Sequence, residues 1–197
     1  MRRVWIPAIL FMLSVKLTAQ PWLISMNYNI AFPGNEMSSY ITNPSLLGFS
    51  LDVRHFIKPS ISIGGSFGQQ LFYWQTTAWG SMGLGLINSQ IRFMNTFPLM
   101  LNTHFYLKGP VGWKPYCGVN VGGYYEWNRS EVGIVVFEGR KWRWGLAPEA
   151  GVIFPLGRMN LNVGSRFNYL SASNSDIMAG VKNRFYMSMN IGIVFFK

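Results

Sequence analysis

Charge is scarce in this chain. Asp, Glu, Lys and Arg make up 12% of its 197 residues, where an ordinary soluble domain carries roughly 25%. A wet protein surface is about a quarter to a third charged, so this composition cannot readily cover one. Cysteine is almost missing. Cys117 is the single example, which excludes an internal disulfide and any metal site built on several cysteines. His55 and His104 are the only histidines. Neither sits at a spacing that would join it to an orienting acid and a nucleophile, or to a cluster of metal ligands. No catalytic residue, cofactor or metal is therefore expected, and both histidines are expected to be structural. Beyond the N-terminus no apolar run reaches eighteen residues, so membrane-crossing helices are not expected.

Acidic residues are fewer still. Seven stand against 17 basic ones, for a net charge of +10. The lysines and arginines are scattered over turns and loops, with no basic helix or stacking motif of the kind that binds nucleic acid. Anionic lipid headgroups and lipopolysaccharide are the expected partners of the excess charge. Residues 1–19 read as a secretory signal peptide, with Arg2 and Arg3 ahead of an almost wholly apolar stretch over 4–15 and a cut near Ala19-Gln20. The alternative is a short N-terminal helix kept in the mature chain. No cysteine lies directly after the apolar stretch, so lipoprotein anchoring is not expected. Residues 20–197 then make one domain. Without Arg2, Arg3 and Lys16 the net charge falls to +7.

Glycine is plentiful at 21 residues, and aromatics reach 16%. Both belong to eight stretches in which side chains alternate between two faces. One face is large and apolar, as in Trp22, Ile24, Met26, Tyr28 and Ile30, or Phe185, Met187, Met189, Ile191, Ile193 and Phe195. The other is small or amide-bearing, as in Ser25, Asn27 and Asn29, or Ser188, Asn190 and Gly192. A soluble lipocalin-type barrel would turn the apolar face inward and wet the other. The second face is too poor in charge for that, so the apolar face is expected to meet lipid and the small polar face to fill a narrow lumen. Stretches of ten to thirteen residues suffice for a tilted crossing.

The links between stretches alternate in length. Short links fall at 58–59, 108–114 and 155–158, and long ones at 33–44, 75–90, 126–141 and 170–184. An all-β, eight-stranded, antiparallel, up-and-down transmembrane β-barrel accounts for this pattern. The even strand count puts both termini on one side, and the rule of short periplasmic turns makes that side the periplasm.

The stretches Phe56-Ile57-Lys58-Pro59-Ser60-Ile61-Ser62-Ile63-Gly64-Gly65-Ser66-Phe67-Gly68, Lys114-Pro115-Tyr116-Cys117-Gly118-Val119-Asn120-Val121-Gly122 and Trp144-Gly145-Leu146-Ala147-Pro148-Glu149-Ala150-Gly151 carry a resemblance. From Tyr28 onward the chain resembles the outer-membrane β-barrel domain family of Gram-negative bacteria, the small eight-stranded "porin family" barrels, and in particular its Bacteroidetes-like members. The resemblance implies a location in the cell outer membrane and handling by the barrel-assembly machinery during biogenesis. It implies no single activity. Many such barrels end on an aromatic residue, whereas this chain ends Phe195-Phe196-Lys197.

Asp52, Arg54, Arg143, Glu149 and Arg166 fall on the small polar face. Buried charges persist only when paired, so these five are expected to form a salt-bridge network that fills the lumen. The alternative is an ion path. The link after Tyr125 carries Trp127, Arg129, Arg140 and Lys141 as candidate contacts for a protein or glycan, and exposed barrel loops are where such contacts are made. A solvated hairpin extension without a partner is the competing reading of the same link. The expected function is a non-enzymatic outer-membrane barrel with a filled lumen and four extracellular loops, in a structural or surface-interaction role, with an extracellular or membrane protein as a further partner. The alternatives are a narrow channel for small solutes and a lipid-modifying barrel enzyme.

Overall fold

The computed structural model describes residues 21–38, 40–79, 87–132, 135–157, 159–171 and 184–197. The proposed signal peptide and most of the 170–184 link lie outside these residues. Eight strands run β1 (Trp22–Pro33), β2 (Leu47–Lys58), β3 (Ile61–Trp79), β4 (Ile87–Tyr106), β5 (Lys114–Val132), β6 (Val135–Leu156), β7 (Met159–Leu170) and β8 (Arg184–Phe196). Each pairs antiparallel with its neighbour in sequence, and β1 pairs with β8 from Leu23↔Phe196 to Pro33↔Tyr186, closing the barrel. Closure leaves no open edge around the ring, as backbone in a hydrocarbon environment requires. The lone helix of the described residues, α1 (Asn35–Ser38), lies in the β1–β2 link, and a single 3-10 turn (Pro110–Gly112) sits in the β4–β5 link. The β6–β7 turn is tight because Gly157 takes φ +64°, a conformation other residues rarely adopt.

The pleat sorts side chains as the alternation implies. Met26, Leu51, Leu99, Leu101, Trp142 and Trp144 are exposed, and Ser25, Asn27, Asp52, Asn120 and Asn162 are buried. Cys117 faces outward. A barrel of eight strands leaves room only for side chains to fill, and the lumen-facing glycines show how tight the fit is. A Cβ on Gly118 would lie 2.3 Å from the His104 ring, and one on Gly145 would lie 2.4 Å from the Tyr124 ring.

Strand length departs from expectation in half the barrel. Strands β1, β2, β7 and β8 have 12, 12, 12 and 13 residues, but β3, β4, β5 and β6 have 19, 20, 19 and 22. The links expected at 75–90 and 126–141 are therefore mostly paired strand. Pairing continues to Trp79↔Ile87 in one hairpin and to Val132↔Val135 in the other. Gln90↔Val132 joins the two hairpins. Among the described residues, the result is a four-stranded sheet that continues past the end of the short strands on one side of the barrel.

Candidate functional site

The lumen is built in layers. At the end with the termini, Leu23, Phe56, Tyr106, Tyr116, Ile153 and Val194 form an apolar cluster with Phe196 packed against it. At the hairpin end, Met37 and Ile41 from the β1–β2 link are fully buried against Phe72, Met94, Tyr124, Leu170 and Tyr186. Arg92 secures this cap. Its Nη1 donates to the Tyr40 carbonyl oxygen at 2.8 Å, and its guanidinium lies over the Tyr40 and Trp74 rings at 4.4 and 4.8 Å.

Between the two apolar layers sits a balanced set of two carboxylates and two guanidiniums. Glu149 and Arg166 stand directly opposite each other on β6 and β7. Arg166 Nη2 is 2.7 Å from Glu149 Oε2 and 3.2 Å from Asp52 Oδ1. Arg54 Nη2 is 3.5 Å from Glu149 Oε1 and 3.6 Å from Asp52 Oδ2. The carboxylates also accept from neutral side chains. Asn27 Nδ2 donates to Asp52 at 2.8 Å and Asn120 Nδ2 to Glu149 at 3.2 Å. The Tyr116 hydroxyl lies 3.0 Å from both Glu149 Oε1 and Asn162 Oδ1. Arg54 Nη1 donates to the Tyr106 hydroxyl at 3.2 Å. His104 is buried beside this set, with Nε2 3.5 Å from Glu149 Oε2.

Arg143 is not part of this network, contrary to the expectation that grouped it with the other four. It belongs to a second cluster nearer the hairpin end. There Glu126 Oε2 is 2.6 Å from Arg143 Nε and 2.8 Å from Arg184 Nη1. Arg143 Nη1 also donates to the Ser171 carbonyl at 2.8 Å. Glu126 and Arg184 were read from sequence as link residues, yet they are 0% and 1% exposed. Parity would have found both, since Glu126 is two residues from lumen-facing Tyr124 and Arg184 two from Tyr186. His55 faces outward, its ring 4.8 Å from that of Trp22.

The candidate contact residues of the β5–β6 hairpin divide by face. Trp127, Arg129 and Arg140 share the outer face, with Trp127 directly opposite Arg140 and Arg129 opposite Glu138. Arg129 is already engaged, 2.6 Å from Glu131 and 3.5 Å from Glu138. The Arg140 guanidinium lies 5.6 Å from the Trp127 ring centre. Lys141 stands opposite Glu126 and points to the other face, so it cannot contact the same partner surface as the other three.

An up-and-down eight-stranded barrel, apolar outside and ion-paired inside, defines the class: this is the fold of small outer-membrane β-barrels. Among solved structures, the chain is similar to Ail, the attachment invasion locus protein of Yersinia pestis. The complex of Ail with the heparin analogue sucrose octasulfate matches at a TM-score of 0.55 and 14% identity, covering 89% of this chain and 99% of Ail. A second structure of Ail matches at 0.52 and 13%, with the same coverage. Neisserial surface protein A matches at 0.48 and 13%, covering 90% of this chain and 96% of its own. No family model matches the chain, and no curated protein matches it.

Proposed function

We propose that the chain is a non-enzymatic barrel of the outer membrane, with a lumen closed to solutes and an interaction role carried by its hairpin end. The observation that carries this reading is the filled lumen. Asp52, Arg54, Glu149 and Arg166 neutralise one another across the bore between two apolar layers. A conducting pore needs mobile water and sites that bind weakly enough to release, whereas here each buried charge has several fixed partners. The outer surface supports the membrane placement. Soluble monomers rarely expose contiguous apolar patches beyond a few hundred Å², and here large apolar side chains point outward from every strand.

In the orientation we propose, the signal peptide over 1–19 directs export and is removed. The barrel-assembly machinery inserts the chain, the termini and tight turns face the periplasm, and the hairpin sheet stands outside among lipopolysaccharide and surface partners. Trp127 and Arg140 are the side chains placed to meet a partner there. The test combines fractionation with gel mobility. The protein is expected in the outer-membrane fraction, with a folded band that shifts on boiling. A soluble periplasmic protein whose mobility does not change on boiling would refute the placement.

A further inference from the structure

Glycine serves two purposes in this barrel, and only one is explained by the lumen. A Cβ on inward-facing Gly64 would lie 2.0 Å from the Val53 carbonyl oxygen, and one on Gly122 would lie 2.2 Å from that of Leu99. Those positions must be glycine for the strands to approach. Gly65 and Gly123 face outward, and there no backbone atom lies closer than ordinary contact. A Cβ on Gly65 would meet its nearest atom at an ordinary 3.5 Å, and one on Gly123 would meet no backbone atom closer than the Arg143 carbonyl oxygen at 3.9 Å, with the Trp142 ring tight against it at 3.1 Å.

What these two glycines do is shape the wall. Val53, Gly65, Leu101 and Val121 stand in one cross-strand row, and Leu51, Phe67, Leu99, Gly123 and Trp144 in the next. Each row dips where its glycine lies, and the Trp142 ring flanks the dip at Gly123. Leu101 and Trp144 rise beside the dips, 76% and 74% exposed. A groove of about 870 Å³ results, running over the outer face from β2 to β6. Four interstrand steps give it a reach of ~19 Å, enough for an acyl chain as long as the ~15 Å half-thickness of a bilayer core.

The hairpin end of the groove has the opposite chemistry. Arg140, Trp142 and Trp144 share the outer face of β6, and Arg140 lies two residues, ~7 Å, beyond Trp142. The Tyr125 and Trp142 rings pack at 5.3 Å and form an aromatic belt between groove and cation. Glu131 and Glu138, the acids on that face of the hairpin, are both held by Arg129. Arg140 is exposed, and among the described residues no carboxylate pairs with it. Hydrocarbon groove, aromatic belt and a guanidinium held by no carboxylate of the described residues follow one another in the order of an anionic lipid's own parts.

We propose that this face is a lipid-binding site. An anionic, phosphate-bearing lipid of the leaflet at the hairpin end lays an acyl chain over Gly65 and Gly123 and sets its phosphate on Arg140. A guanidinium suits a phosphate because its donors are fixed in a planar fork. The proposal rests on the reading of the chain as a membrane barrel. A wild-type protein with no heat-modifiable mobility would fail that reading before any lipid is added.

Native mass spectrometry of the detergent-solubilised barrel tests the site. The probes are phosphatidylglycerol and phosphatidylcholine with identical chains. Wild type is expected to retain one phosphatidylglycerol and to prefer it roughly fivefold, the effect of about one interfacial basic residue. Arg140→Gln is expected to lose the preference while still holding either lipid. Gly65→Leu with Gly123→Leu, folded by the mobility test, is expected to hold neither. Lys108→Gln at the opposite end is expected to leave both results unchanged. The site is overturned if wild type retains no lipid, if the filled groove retains phosphatidylglycerol as well as wild type does, or if Lys108→Gln matches Arg140→Gln. It is also overturned if wild type is a dimer that the leucine pair dissolves, since a second copy would then occupy the groove. Should the leucine pair fail to fold, the Arg140→Gln and Lys108→Gln comparison decides alone.

Discussion

At the scale of single residues, Glu149 is where the lumen is most tightly determined. Two guanidiniums, a tyrosine hydroxyl and an asparagine amide converge on its two oxygens. Truncating it leaves Arg54 and Arg166 sharing only Asp52. Breaking a buried ion pair from one side typically costs about 3–5 kcal/mol, because the surviving charge is left uncompensated. Glu149→Ala is therefore expected to lower unfolding stability by about that amount, measured by urea titration of the heat-modifiable folded band in lipid vesicles. Glu131→Ala removes a carboxylate of comparable proximity, 2.6 Å from Arg129, but at a site open to solvent on one side, the two side chains being 26% and 43% exposed. Exposed pairs contribute about 0–1 kcal/mol, so that variant is expected to unfold almost as wild type does. Equal losses in the two variants would mean that the lumenal network is hydrated rather than dry. Glu126→Gln is expected to resemble Glu149→Ala in kind, since Arg143 and Arg184 both bond to the same carboxylate oxygen.

At the scale of elements, the barrel and the sheet that extends from it are separable. Among the described residues, the lumenal network and the apolar layer at the end with the termini draw none from 129–138. Asn128 and Gly139 stand directly opposite each other on β5 and β6. Replacing 129–138 with a two-residue turn removes the β5 partners of residues 90–93 but is expected to leave the barrel folded, at a cost below that of Glu149→Ala. The same urea titration measures it. A loss of several kcal/mol would show that the hairpin is part of the folding core. The faces of the strands were legible in the sequence because a period of two is a local property, visible wherever one side meets lipid and the other a crowded bore. The lengths of β3 to β6 were not. Toward the hairpin end the two faces of the sheet carry similar chemistry, as Gln75, Thr76, Asn128, Arg129 and Ser130 show, so alternation fades while backbone pairing continues. Glu126 and Arg184 were missed because they read as link residues, although parity carried on from Tyr124 and Tyr186 places both in the lumen. Each lies where the pattern thins, and their pairing across 58 positions of sequence depends on barrel closure, which no local pattern encodes.

At the scale of the whole molecule, the layers of the lumen make closure redundant. Met37 and Ile41 cap one end, a neutral set of four charges crosses the middle, and Phe56, Ile153 and Val194 close the other end. Removing one layer should weaken the barrel without opening it. Met37→Ala with Ile41→Ala is expected to cost about 2–5 kcal/mol for each buried side chain truncated, with the bore still shut. The central claim is that this barrel is filled rather than porous, and reconstitution into planar lipid bilayers tests it most directly. Wild-type protein, shown to be folded by its mobility shift, is expected to leave the baseline current flat at applied voltages of either sign. Stable unitary steps that disappear in Glu149→Ala would contradict the account and make the lumenal charges the lining of a channel.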